Sequence, residues 1–349
     1  LLPLCLWAQT KSPIKFGTVK VEDLQKTSYS IDSSAAAVVL ADIGETRIVG
    51  NNKGWFSWEH VHTKRVHILN KSAFDVSTVN VYLYSDGDDE EELTGVKAYT
   101  YNLENGKVKE TKLDAKRAVF KDKIDKNRVI RKFTLPDVKE GSIIEYQYTI
   151  KSDFLFNFQP WDFQGEYPIL WSEYSAEIPD FIHYVFLMQG YLQPHIKDRK
   201  DGNNQFNISD AGSASATERF NFTSNVATHR WVMKDVPVLK EESFTSSIQN
   251  HISKISFQLS EYRQPLSYRN VMGTWQQLAG RMLETEYFAG DIRKNNPWIG
   301  DLIDPIVKDG GDQLSMAKKI YQYVQKNFTA TSSAGLYMRE NIRKVASGK

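Results

Sequence analysis

The stretch LPDVKEGSIIEYQYTIKSDFLFNFQPWDFQGEYPILWSEYSAEIP, Leu135 to Pro179, decides the fold class. Ile144, Tyr146, Tyr148 and Ile150 alternate with Glu145, Gln147 and Thr149, the two-residue period of a half-buried strand. An aromatic run follows (Phe154, Phe156, Phe158, Trp161, Phe163), and then a second strand pair interrupted by Pro168. Dense β-structure with this aromatic load makes a core or a recognition surface. The stretch holds no catalytic constellation.

Strands are expected on both sides of it. Upstream, Val21 to Leu24 reads as a short helical turn, and Ala35 to Leu40 as a strand turning at Ile43-Gly44 into Thr46 to Val49. Trp55 to Leu69 and the alternating Thr78 to Tyr84 follow. Asn105-Gly106, between Val96 to Leu103 and Lys107 to Leu113, predicts a hairpin, because both central residues of a type I′ turn need positive φ. Val129 to Leu135 pairs with Ser142 to Ile150. Downstream, Ser172 to Ile178, Tyr184 to Met188, Gln205 to Ser209 and Thr228 to Met233 continue the pattern. Polar loops are expected at Lys197 to Asn204 and Asp210 to Thr217. Short strands at this spacing predict a mainly β, antiparallel, sandwich-like N-terminal domain.

The pattern changes after Ser260. EYRQPLSYRN reads as a connector, and Thr274 with Gln277 forms a capping box for a helix whose apolar face is Trp275, Leu278, Met282 and Leu283. A second helix opens at Asp312 with Leu314, Ala317, Tyr321, Val324 and Phe328 on one side, and a short one is expected near Arg339 to Val345. Both longer helices read as seated on a core.

The 44 basic and 43 acidic residues nearly cancel, so no global field draws in nucleic acid or an acidic membrane surface. LLPLCLWAQTKSP looks like the apolar core and cleavage zone of a secretory signal, with cleavage expected after Ala8. The expected organisation is residues 1–8 signal remnant, 9–260 β-rich domain and 261–349 helical. Nothing else reaches the length of a membrane span, so the processed protein is expected to be exported, periplasmic or in the outer cell envelope. Cys5, the only cysteine, lies inside that signal. Processing would leave no disulfide, thiolate metal site or thiol nucleophile.

Candidate chemistry is sparse. The acidic run Asp86 to Glu92 lacks the ligand spacing of a calcium loop and reads as a solvated turn. His60 and His62, two apart on a strand, share a face as metal ligands do, but the other histidines are scattered and Lys64 and Arg65 favour a solvated face. There is no G-x-S-x-G elbow, no Gly-rich phosphate loop and no H-E-x-x-H. Glu166 and Glu173 are neighbours in an aromatic segment, without the readable separation of a glycosidase pair. No cofactor and no metal are expected. Trp55, Trp58, Trp161, Trp171 and Trp231 are either core or a stacking platform for sugars or peptides. Trp161, Trp171 and Phe163 are the expected ligand contacts.

Three segments resemble one family: DSSAAAVVLADIG (Asp32 to Gly44), AYTYNLENGKVKETKL (Ala98 to Leu113) with FTLPDVKEGSIIEYQYTI (Phe133 to Ile150), and HRWVMKDVPVLKEE (His229 to Glu242). They are similar, over roughly residues 20–260, to the domain of unknown function 3857. The resemblance implies a β-rich module that precedes a transglutaminase-like core in exported bacterial proteins, and no activity of its own. The helices after Thr274 then look like the opening of that papain-type α/β core. Its nucleophilic Cys, activated by His and Asp, would follow Tyr337 to Lys349, so no catalytic residue carries over and Cys5 does not match.

The expected function is a non-catalytic envelope module, an adaptor or a unit binding a peptide, protein or glycan. The alternative is a fragment of a cysteine-dependent transglutaminase-like peptidase or amidase whose catalytic half lies beyond Lys349.

Overall fold

A computed structural model of the chain describes residues 12–87, 89–125, 127–210, 218–240, 242–245, 247–285, 288, 290–329 and 341–348. The expected signal and Cys5 therefore lie outside the described residues, as does most of the expected loop at 210–217. Two compact units divide between Val271 and Met272.

The first unit is β-structure built on one large sheet. Its strands are β1 (Ala37–Gly50), β2 (Phe56–Ile68), β3 (Thr78–Asp86), β4 (Asp89–Glu90), β5 (Glu92–Glu104), β6 (Lys107–Lys112), β7 (Phe120–Lys123) and β8 (Arg128–Thr134). They continue as β9 (Ile143–Ser152), β10 (Trp161–Asp162), β11 (Ile169–Pro179), β12 (Ile182–Gln189), β13 (Ile196–Asp210), β14 (Glu218–Val236), β15 (Lys254–Tyr262) and β16 (Arg269–Asn270). Eight form the large sheet in the order β13-β14-β11-β1-β2-β9-β5-β6. Two four-stranded sheets, β4-β3-β8-β7 and β10-β15-β12 with β16 on β15, complete the unit. Pairing is antiparallel except between β1 and β11, which run parallel.

Alternation decides the faces. Ile144, Tyr146, Tyr148 and Ile150 of β9 join Phe56, Trp58, Val66 and Ile68 of β2 in a single core. That core also holds Val79, Val81, Leu83 and Phe133 from one small sheet and Ile182, Tyr184, Ile255, Phe257 and Leu259 from the other. Asn105 and Gly106 have φ of 51° and 72°, the conformation a two-residue β5–β6 hairpin demands.

The opposite face of the large sheet is covered by the N-terminal segment. Arg65 and Glu145 are register partners there and both are buried. The Gly17 amide donates to Glu145 Oε2 at 2.7 Å, and Arg65 Nη2 donates to the Lys15 carbonyl at 2.9 Å. Ile14 packs on Ala41, Ile43, Trp171 and Val232. Glu145, on the polar side of its strand by alternation, is thus as buried as its apolar neighbours.

Several expectations are corrected, first the pairing of Val129 to Leu135 with Ser142 to Ile150: β8 pairs with β3 and β7 in a small sheet, and β9 with β2 and β5 in the large one. Residues 37–50 form one strand, without a turn at Ile43-Gly44. Gly44 is required instead by a close approach: a Cβ there would stand 2.5 Å from Trp161 Cζ3 and 2.9 Å from Tyr174 Cδ2. The polar segment Lys197 to Asn204 is no loop but the first half of β13, held by continuous pairing to β14. EYRQPLSYRN is no connector, since β15 and β16 pair within it. The acidic run turns one carboxylate inward: Glu91 is buried and accepts from the Tyr84 amide, Ser152 Oγ and Asn157 Nδ2.

The second unit is helical: α3 (Trp275–Glu284), α4 (Asp291–Arg293), α5 (Trp298–Val307), α6 (Gln313–Asn327) and α7 (Ile342–Ala346), following α1 (Val21–Leu24) and α2 (Ala115–Ala118) in the first. The capping box at Thr274 and Gln277 is formed, and Asp312 caps α6. The apolar faces are not seated on a core, however. Trp275, Leu278, Leu314 and Tyr321 are exposed, and among the described residues α3, α5, α6 and α7 bury no side chain.

Replacing Gly44 by Ala should force the Trp161 and Tyr174 rings apart and cost about 1 to 3 kcal/mol. Gly165→Ala, where a Cβ meets nothing within 4 Å, is the matched control and should leave the urea midpoint unchanged. Equal midpoints for the two variants would refute this reading of Gly44.

Candidate functional site

A β-bulge prepares the site. In β1, Val39 lies opposite Val66 and Ala41 opposite Arg65, so Leu40 is an extra residue without a partner on β2. One extra residue reverses which face each later side chain takes. Val39 faces the core, Ala41 and Ile43 face the N-terminal segment, and Asp42 is turned inward.

Register then assembles two rows across the sheet. Tyr146, Lys64, Asp42 and Ser172 are consecutive partners on β9, β2, β1 and β11. Tyr148, His62, Gly44 and Tyr174 form the adjacent row. Asp42, 5 % exposed, is held by both: Lys64 Nζ stands 2.7 Å from Oδ2 and His62 Nε2 2.6 Å from Oδ1. Burial alone would raise the Asp42 carboxyl, but Lys64 and His62 outweigh it and hold the group well below the usual carboxylate range. An ionised carboxylate only accepts, so His62 Nε2 carries a proton. In the neutral imidazole Nδ1 then accepts from the Tyr148 hydroxyl, 2.7 Å away.

Of these groups, His62, Lys64, Tyr146 and Tyr148 line a cleft of about 640 Å³ between the large sheet and the start of β3, with Asp42 behind them. Val39, Val66, Val79, Ile169 and the rings of Tyr146 and Tyr148 form its walls, and Asp75 and Glu166 stand exposed among its lining residues. Tyr146 and Tyr148 lie 6.1 Å apart and nearly parallel. Burial raises both phenols well above their ordinary value, Tyr148 with a further push from Tyr146. A Tyr-His-Asp chain has the outline of a nucleophile, base and orienting acid. Here the phenol is held protonated, and both His62 nitrogens and both Asp42 oxygens are engaged within the protein. The arrangement fixes the cleft wall more readily than it activates an attacking oxygen.

The expected ligand contacts lie inside the fold. Trp161, Phe163 and Trp171 are 5 %, 0 % and 6 % exposed and offer no open ring face. Trp161 stacks on Tyr174 at 5.5 Å, meets His62 edge-on at 5.2 Å and donates from its indole to Ser172 Oγ at 3.1 Å. It therefore backs the His62 network. Trp171 belongs to the opposite face, where its indole donates to Glu173. His60 and His62 do share a face, but inside the protein. His60 is fully buried, with Nδ1 2.8 Å from Thr46 Oγ1. Among the described residues no group of three His, Cys, Asp or Glu is placed to hold a metal. Asp42 and Lys64 escaped the sequence reading, since only the bulge turns Asp42 toward the lysine.

Removing one member of the Asp42–Lys64 pair should not be symmetric. Lys64→Met leaves a buried anion and should cost about 3 kcal/mol, whereas Asp42→Asn leaves a lysine that still reaches water and should cost less. The double variant should recover part of the loss; additive losses in denaturant titrations would refute the coupling.

The pH dependence follows from burial. His60 is driven well below its ordinary value by burial and then by His62, and burial pushes His67 down to about 4. A histidine depressed in the folded state takes up its proton more readily when unfolded, so stability is complete above about pH 6.5 and falls as pH drops toward 4. For His67 the loss should approach 3 kcal/mol, that is about 3 kcal/mol from a shift of this size. Asp42, depressed in the fold, adds a further loss only below about pH 4. Denaturant titrations between pH 7 and 4 check this, and His67→Gln should flatten the decline; an unchanged slope counts against it.

Comparison with known proteins places the fold. The family model described as a domain of unknown function with a solved structure (DUF3857) matches residues 56–238, just over half of the chain. A crystal structure from Parabacteroides distasonis, named a "putative protease", superposes with a TM-score of 0.53 at 11 % identity, over 90 % of this chain and 55 % of that one. The chain thus spans little more than half the length of that protein. An M1 zinc metallopeptidase of Deinococcus radiodurans bound to a Tyr-Ser-Ala substrate gives a TM-score of 0.23 at 8 % identity, over 76 % of this chain and 57 % of that one. No curated protein matches. By the extent of the family match, the chain belongs to the family of the domain of unknown function 3857.

Proposed function

We propose that this chain is a non-catalytic binding module of the exported compartment, and that the cleft beside Tyr146 takes a short peptide carrying a cationic group. The observation that carries this reading is the state of the cleft's polar groups. His62, Lys64 and Tyr148 are engaged within the protein and stand among apolar walls, while Asp75 and Glu166 are exposed lining residues. Two lining carboxylates, Asp75 and Glu166, stand against one lysine, Lys64, whose charge is already paired with Asp42. An amino terminus or a basic side chain reaching Asp75 and Glu166, with an apolar neighbour on the tyrosine rings, uses what the cleft offers. The N-terminal apolar run supports export.

The second reading, part of a cysteine-dependent transglutaminase-like peptidase or amidase, is favoured by the fold shared with the Parabacteroides protein. It requires a nucleophile beyond Lys349, and iodoacetamide would then abolish peptide hydrolysis or cross-linking by the full-length polypeptide.

Calorimetry with free-amine and capped peptides containing Lys or Arg tests the binding module. Asp75→Asn with Glu166→Gln should weaken the best binder about tenfold, or about 1.4 kcal/mol, and wild-type binding should weaken with salt. Affinity untouched by both substitutions would dismiss the site. Peptide cleavage by this chain alone would dismiss the non-catalytic role.

A further inference from the structure

We infer a second ligand site, for a neutral oligosaccharide, in the groove around Tyr268. This groove, of about 820 Å³, is lined by the end of β11, by β12, by Arg199 of β13, by the middle of β14 and by Arg263, Gln264 and Tyr268. None of its lining residues belongs to the Tyr146 cleft.

Its chemistry differs from that of the cleft. Ring area is available: Tyr268 is 66 % exposed, and His229 stands edge-on to Phe186 at 4.7 Å and parallel to Trp231 at 5.7 Å. Both guanidiniums of the groove are paired before any ligand arrives. Arg199 Nε donates to Asp201 Oδ1 at 2.9 Å, and Arg263 Nε donates to Glu261 Oε1 at 2.6 Å. Glu261 also accepts from the Tyr268 hydroxyl at 3.2 Å, so one carboxylate fixes both the guanidinium and the ring.

Paired guanidiniums exert little net pull on an anion, yet each keeps N–H donors beyond those its partner uses. Asp180, His183 and Gln264 add acceptors and donors on the same walls. A second concavity shares Asp180 and Arg199 and adds Asn203 and Asn225, extending the run of planar polar side chains. Planar groups that both donate and accept suit neighbouring hydroxyls, and an aromatic ring held in place suits the apolar face of a pyranose. An anionic ligand would have to break an ion pair to gain one. A sugar would not.

The test titrates the chain with maltotriose, cellotriose, chitotriose and a trigalacturonate by calorimetry. The inference expects one neutral trisaccharide to bind with a submillimolar Kd that changes less than twofold between 50 and 500 mM salt. Tyr268→Ala, a change at an exposed ring, should weaken it at least tenfold, Tyr268→Phe less than threefold, and Arg199→Ala at least threefold. Glu166→Gln should leave saccharide binding unchanged, and Tyr268→Ala should leave peptide binding unchanged, so failure of either site is visible apart from the other. Absence of binding by every neutral trisaccharide, a salt-sensitive preference for trigalacturonate, or affinity indifferent to Tyr268→Ala and Arg199→Ala would overturn the inference.

Discussion

A carboxylate inside a β-sandwich is the constraint around which this fold is arranged. Asp42 is ionised, nearly inaccessible to water and satisfied only by Lys64 and His62 on the neighbouring strand. An isolated charge in that position would cost several kcal/mol. The register of β1 on β2 therefore has to be the observed one, with Leu40 left over; a one-residue slip would strand the charge among apolar side chains. Gly44, two residues on, completes the arrangement by admitting the Trp161 ring that closes the network from behind.

Much of the fold was legible in the sequence because it obeys periodicity. The faces of β9, the β5–β6 hairpin and both helix caps at Thr274 and Asp312 follow from alternation, turn chemistry and capping residues. β13 was illegible for the opposite reason. IKDRKDGNN has no apolar alternation, and it is a strand because β14 supplies backbone partners along its whole length. Edge strands tolerate such charged sequence, and it protects them from pairing with other chains.

The candidate site was only partly legible, and the failures share a cause. AVVLADIG is buried on both faces, so its apolar pattern carries no sign of the bulge that reverses it. The histidine pair was read correctly as sharing a face, but proximity to Lys64 and Arg65 pointed to solvent. In the structure Lys64 enters the core to meet Asp42, and Arg65 is buried against Glu145 on the other side. Both lysine and arginine lie inward because each finds a carboxylate. Trp161, Trp171 and Phe163 were expected as ligand contacts on residue type, a signal that does not separate a core ring from a binding ring, and all three are buried.

The covering of the large sheet by the N-terminal segment has a temporal side. Gly17 is joined to Glu145 across 128 positions of sequence, and Arg65 holds Lys15 as well as Glu145. During synthesis the Gly17 amide has no Glu145 to meet until β9 has emerged and paired. This segment is made before the strand that fixes it. Its docking records that β2 and β9 have already met, since Arg65 of one and Glu145 of the other both grip it.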